Sequence, residues 1–254
     1  MLLKEERLRL TLEALREQGK VTVPELSSIF GVSEITIRRD LNELARQGLV
    51  RRAHGGAVYP IETPPEPPVI QRMQENRDLK IRIARAAARL VAPGDTIFLS
   101  SGSTATYVAR QLADRKNLTV VTNSISVATE LATAEGITVV VLGGMLRASE
   151  LSMVGHITEQ ALREVRIDKV IIGMRAVSPE AGLTNDYLPE IMTDRAILQV
   201  APENILVVDH TKLGKTASAY VAPIDRITRL VTNREADPAL LAQIRQMGIE
   251  VIEA

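Results

Sequence analysis

The apolar positions of this chain follow two different rhythms. Over the first 58 residues they recur at helical spacing, with Leu8, Leu12 and Leu15 in one stretch, Leu26 and Phe30 in the next, and Ile37, Leu41 and Leu44 in a third. This is the three-to-four-residue period of amphipathic helices. A run from Leu49 to Val58 then reads as two short strands around Gly55-Gly56. From Pro93-Gly94 onward, short β-branched runs alternate with helical stretches, and strands are expected at 96–99, 118–122, 138–142, 169–172, 205–208, 229–231 and 250–252. Most of these runs are apolar at successive positions, as parallel strands covered on both faces by helices must be. The alternation predicts a doubly wound, mostly parallel α/β domain.

The two regimes are separated by Pro60-Ile61-Glu62-Thr63-Pro64-Pro65-Glu66-Pro67-Pro68, where five prolines in nine residues allow neither a helix nor a central strand. The organisation expected is a helical DNA-binding domain over 1–58, a stiff spacer over 59–68 and an α/β domain over 69–254. That second domain opens with one basic, alanine-rich helix from about Val69 to Val91.

Composition narrows the function classes. Thirty-one basic residues balance 31 acidic ones, so an attraction to nucleic acid has to come from a local constellation. Cysteine is absent, which removes disulfides, thiolate zinc sites and cysteine nucleophiles. His54, His156 and His210 lack metal-ligand spacing, and no metal or cofactor is expected. Two Phe, four Tyr and no Trp leave little material for stacking single-stranded bases. Charge from Lys4 onward and the lack of a long apolar run point to a cytoplasmic protein with no membrane segment.

The densest local signal lies between Thr22 and Ala57. Pro24 near the start of a short helix, Gly31 for a left-handed turn, Val32 to plug the corner and Ser33 as an N-cap together describe a helix-turn-helix. With Leu26, Phe30, Val32, Ile37, Leu41 and Leu44 turned inward, the second helix presents Ser33, Glu34, Thr36, Arg38, Arg39 and Asn42 outward. These are hydrogen-bonding groups of the kind a recognition helix offers to the major groove. A plainer alternative has Arg38 and Arg39 paired with Asp40 or Glu43 on a solvated face. Arg51, Arg52 and His54, on the wing-like hairpin, would lie beside the phosphate backbone.

The run ELSSIFGVSEITIRRDLNELARQGLVRRAHGGAV, Glu25 to Val58, resembles the DeoR family of transcriptional regulators without a gap, through VS-x-x-TIRRDL, L-x-x-x-G and R-x-HGGA. The resemblance implies that Ser33, Thr36, Arg38 and Arg39 read an operator in double-stranded DNA and that Arg52 and His54 belong to a wing. It continues through GDTIFLSSGSTATYVARQL, LTVVTNS, VVVLGGMLR, GLTN and DHTKLG, which are similar to the family's effector domain. The fold implied there is that of ribose-5-phosphate isomerase and glucosamine-6-phosphate deaminase.

The residues support an effector site independently. Ser101, Gly102, Ser103, Thr104 and Thr106 follow an apolar strand and open a helix, where free N–H groups and small hydroxyls make an anion site. Thr122, Asn123 and Ser124, and the pair Gly143-Gly144, also fall at strand ends, where open α/β sheets collect ligands. The glycines do not form G-x-G-x-x-G, which disfavours a dinucleotide. Arg147, Arg175, Asn185, Asp186, Asp209, Lys212 and Lys215 are the polar candidates for the same rim. Within the resemblance, Asp209 and Lys212 match a D-x-x-K-x-G element.

Two departures bear on catalysis. Ser100 stands where the family more usually has an acid, and Arg175 stands where related isomerases carry acidic catalytic residues. A proton-shuttling isomerase needs a carboxylate over the sugar carbon, so sensing is favoured over turnover. The expected function is a repressor of a carbohydrate operon, released by a small phosphorylated sugar and working as a homodimer or homotetramer. The alternatives are an isomerase or deaminase with a fused DNA-binding head, an activator, and a regulator of an unphosphorylated sugar or polyol.

Overall fold

A computed structural model describes residues 4–18, 20–46, 49–53, 55–58 and 67–254. The chain divides into two compact units, Met1–Glu66 and Pro67–Ala254. Apart from Pro67 and Pro68, the expected spacer over 59–68 lies outside the described residues, as does His54.

The first unit runs α1 (Lys4–Gln18), β1 (Lys20–Thr22), α2 (Val23–Phe30), α3 (Glu34–Arg46), β2 (Arg51–Ala53) and β3 (Gly56–Val58). Its strands pair antiparallel in the order β1-β3-β2. Thr22 caps α2 through a reciprocal box with Glu25, and Pro24 occupies the first turn, where no amide partner is lost. The helix stops at Gly31, whose φ of 63° is a left-handed value that a side chain would oppose. Leu15, Leu26, Ile37, Leu41 and Leu44 are fully buried between the three helices, with Phe30 and Val32 partly buried against them.

In chain order the second unit opens with α4 (Val69–Arg72), α5 (Arg77–Ala88), β4 (Thr96–Leu99), α6 (Ser103–Leu112), β5 (Leu118–Thr122), α7 (Ile125–Leu131) and β6 (Ile137–Val141). It continues with β7 (Met145–Arg147), β8 (Ser152–Val154), α8 (His156–Arg163), β9 (Lys169–Ile172), β10 (Ala176–Ser178) and β11 (Gly182–Asn185). It ends with α9 (Ile191–Ile197), β12 (Glu203–Val207), β13 (Ala219–Ala222), β14 (Arg229–Thr232), α10 (Pro238–Gln246) and β15 (Glu250–Glu253). Seven strands form one parallel sheet in the order β15-β14-β12-β9-β4-β5-β6. Their continuous apolar character follows from burial on both faces. Ile97 and Leu99 join one core with Ile83 and Ala84, while Phe98, between them, joins the other with Leu162 and Ile244.

The structure corrects the expected helix over 69–91. It is two helices, α4 and α5, with Asn76 left-handed at φ 50° between them. The buried Lys80 ammonium donates to the carbonyls of Arg72 (2.5 Å) and Glu75 (2.7 Å), which satisfies groups that the end of α4 leaves open. A hairpin of β7 and β8 and a small antiparallel sheet, β10-β11-β13, accompany the seven strands expected.

Candidate functional site

In the first unit the turn between α2 and α3 is braced from within. Ser27 donates its hydroxyl to the carbonyl of Val32 at 2.6 Å, and the amide of Thr36 donates to Ser33 Oγ at 3.3 Å, so Ser33 caps the second helix. On α3, Ser33, Glu34, Arg38, Arg39 and Asn42 are exposed, and Thr36 is half-buried. The neighbouring carboxylates of Asp40 and Glu43 are engaged elsewhere. Asp40 is buried against Arg7 of α1 at 2.9 Å, and Glu43 takes Lys4 at 2.7 Å. Arg38 pairs with Glu34 one turn away at 3.3 Å, whereas Arg39 has no carboxylate partner among the described residues. The Lys4 and Arg7 contacts also fix α1 across α3. In the hairpin, Arg52 reaches over to donate to the carbonyl of Gly56 at 2.7 Å and so braces the wing. The Arg51 backbone pairs with Val58, and its side chain lies outside the described residues.

In the second unit the chain order reverses between β4 and β9. One half of the sheet grows from β4 through β5 to β6, and the other grows from β9 through β12 and β14 to β15. Such a switch point opens a crevice beyond the carboxyl ends of its two strands. Ser100 to Thr104 follow β4 there, and Gly173 to Arg175 follow β9. Gly102 sits at the N-cap of α6 with φ 108°, a value that a side chain would oppose, and no side chain caps this helix. The first amides of α6 are therefore aimed at the crevice with the positive end of the helix dipole behind them. Ser100 bridges the switch, donating to the Ser101 carbonyl (3.0 Å) and accepting from the Gly173 amide (3.3 Å).

The other expected effector residues divide into rim and frame. Arg175 pairs with Asp186 at 2.7 Å, and Asp186 also accepts from the Ser218 amide at 3.3 Å. Asp209 is buried at the end of the strand beside β9 and caps the turn His210–Lys212 through the Thr211 amide at 2.9 Å. Lys215 is exposed on the loop that follows. Thr122 and Ser124, by contrast, are wholly buried. The Thr122 hydroxyl donates to the Leu99 carbonyl at 2.6 Å, and Ser124 caps α7. Thr106 turns back onto the Gly102 carbonyl at 2.9 Å. Asn123 donates to the Met153 carbonyl at 2.9 Å and holds the β7–β8 hairpin. Gly143 accepts from Thr158 at 2.7 Å, next to Gly144. Arg147 is half-buried, paired with the buried Glu190, and lies 4.4 Å over the Tyr187 ring, and Asn185 donates to Asp194 at 2.9 Å. These residues hold the loops in place, and Arg147 is not a free cation of the rim.

Sequence reasoning passed over Lys80. Burial is the main cause lowering its pKa from 10.5; the nearby Asp209 carboxylate opposes the shift, while Arg72 and Lys212 add to it. The signal was available, because Lys80 occupies an apolar position on the face of α5 that buries Ile83, Ala84 and Ala87. It also passed over a buried acidic group, Glu150, Glu190 and Asp194, for which no periodic signal exists. Among the described residues, no three His, Asp or Glu side chains converge as metal ligands would, and no helix is long and apolar enough to cross a membrane.

Comparison with known proteins agrees with both units. The DeoR-like helix-turn-helix domain matches residues 7–63, and the DeoR C terminal sensor domain matches residues 75–234. The chain is 35% identical over 222 residues to the glycerol-3-phosphate regulon repressor of Escherichia coli strain K12, covering 87% of this chain and 88% of that one. It is 31% identical over 249 residues to the HTH-type transcriptional repressor GlcR of Bacillus subtilis strain 168, covering 98% and 96%. Among solved structures it is similar to ribose 5-phosphate isomerase A of Methanocaldococcus jannaschii, at 23% identity and a TM-score of 0.42 over 55% of each chain. The helix-turn-helix, the sensor domain and these full-length relatives identify the chain as a member of the DeoR family, a DNA-binding transcriptional repressor and not an enzyme.

Proposed function

We propose that the protein represses a carbohydrate-metabolism operon and is released from it by a small phosphorylated sugar or polyol bound at the β4–β9 crevice. The observation that carries this reading is the first turn of α6, which no side chain caps, at the β4–β9 switch point. The first α6 amides, with Ser101, Ser103 and Thr104, take the phosphate. Asp186 accepts sugar hydroxyls, held from behind by the Asn185 amide oxygen that accepts from its backbone N–H, and Arg175 meets the ligand's remaining charge from its place beside Asp186. A relative named for the glycerol-3-phosphate regulon supports a phosphorylated ligand.

On the DNA side, α3 lies in the major groove with Arg39 and Asn42 on base edges and Ser33 and Thr36 near the backbone. The wing residues Arg51, Arg52 and His54 follow the phosphates. A homodimer or homotetramer presents two such helices to half-sites about 34–36 Å apart, or a multiple of that spacing.

Thermal denaturation of the full chain with ribose 5-phosphate, glycerol 3-phosphate and their unphosphorylated counterparts tests the effector assignment. A bound ligand raises the melting temperature by mass action, by about 2.7 kcal/mol of added stability at a hundredfold excess over Kd. The phosphorylated members are expected to shift it, and Arg175→Ala to weaken that shift. A response to the unphosphorylated members alone would transfer the proposal to a sugar or polyol sensor.

A further inference from the structure

Helix α3 carries one side chain on its outward face that the hydrogen-bonding reading leaves unused. Successive helical positions are 100° apart, so Ile35, Arg39 and Asn42, at i, i+4 and i+7, stack in one stripe. That stripe lies opposite the buried Ile37, Leu41 and Leu44. Ile35 is 65% exposed, and among the described residues it is the one large apolar side chain on this face of α3. Its burial partners would have to come from outside the unit, because Val32 and Ile37 on either side already turn inward to the core. Ile35 stands second in the helix, and the first turn of a recognition helix is the part that reaches base edges. Only one base presents an apolar group in the major groove, thymine through its C5-methyl. Arg38, the other cation of this turn, is paired with Glu34 to the side of the stripe.

We propose that Ile35 is a specificity-determining residue that packs on a thymine methyl in each operator half-site, beside the base contacts of Arg39 and Asn42. The proposal rests on α3 being the recognition helix.

The test begins with duplexes selected from a random pool by the full chain, in the wild type and in Ile35→Ala, Arg39→Ala and Asn42→Ala. The wild type should select an invariant thymine in each half-site, and Ile35→Ala should lose that preference while still selecting the neighbouring bases. Replacing that thymine with 2′-deoxyuridine removes only the methyl. It should weaken wild-type binding about fourfold per half-site, the equivalent of about 0.8 kcal/mol for one buried methyl, and leave the Ile35→Ala affinity unchanged. Ile35 is exposed, so the variant should melt with the wild type. Selected sites without an invariant thymine would overturn the proposal, as would wild-type indifference to deoxyuridine or an equal loss in Ile35→Ala. If Arg39→Ala and Asn42→Ala change the selected sequence while Ile35→Ala does not, this proposal alone falls. If none of the three changes it, the reading of α3 as recognition helix falls with it.

Discussion

Arg38 and Arg39 show how little neighbouring residues share. They are adjacent in sequence and both exposed, yet one is tied to Glu34 and the other has no acid partner among the described residues, because Arg7 and Lys4 of α1 occupy Asp40 and Glu43. The residue types on this face were legible in the sequence, but which cation is free depended on a helix about thirty residues earlier. Asp194 shows the same dependence on distant neighbours. Its carboxyl is held well above 3.8, chiefly by burial and then by the charge of Glu190, with the Asn185 hydrogen bond acting in the opposite direction. The folded chain holds this proton more tightly than the unfolded chain, so the group's contribution to stability declines as pH rises above 3.8 through the raised value. Asp194→Asn removes the titration. The melting temperature of this variant relative to wild type is expected to climb as the pH is raised above 3.8, and a gap that stays constant across the whole range over which the chain folds would refute the assignment.

At the scale of elements, the seven parallel strands were legible because β-branched runs buried on both faces leave a continuous apolar signature. The strands of β7, β8, β10, β11 and β13 were not. They are three or four residues long, and some, such as Met145–Arg147, leave apolar side chains exposed, so neither alternation nor a continuous run marks them. The break between α4 and α5 was equally hidden, since Gln74, Glu75 and Asn76 contain neither Gly nor Pro. Its cause is tertiary. The Val69 amide donates to the Ser149 carbonyl at 2.8 Å, Arg72 donates to the Pro67 carbonyl at 2.9 Å, and Arg72 also pairs with the buried Glu150. The start of the sensor unit is thus fastened to the β7–β8 hairpin, which Asn123 in turn fastens to the end of β5. Breaking a buried ion pair by removing one partner costs about 3–5 kcal/mol, whereas replacing both with apolar residues of similar size is close to neutral. Arg72→Met is therefore expected to lower stability to denaturant by several kcal/mol, and Arg72→Met with Glu150→Leu to recover most of the loss. Two equally destabilised chains would argue that the charge pair is not what holds α4.

For the molecule as a whole, the balance of 31 basic and 31 acidic residues means that neither function rests on bulk charge. In the proposed reading each rests on a helix end or face that the fold leaves uncommitted, the outward stripe of α3 in one unit and the first turn of α6 in the other. The two-domain plan was readable because the proline-rich stretch and the change of hydrophobic period coincide, whereas the buried acids Glu150, Glu190 and Asp194 emerged only with the packing. Allosteric coupling between ligand and DNA is typically about 1–3 kcal/mol, or 5- to 150-fold in affinity. The most direct measurement is the affinity of the full chain for its selected operator, by fluorescence anisotropy, with and without a saturating sugar phosphate that thermal denaturation has shown to bind. A loss of affinity within that range is predicted. An unchanged affinity with the ligand demonstrably bound would contradict an account in which the crevice controls the grip of α3.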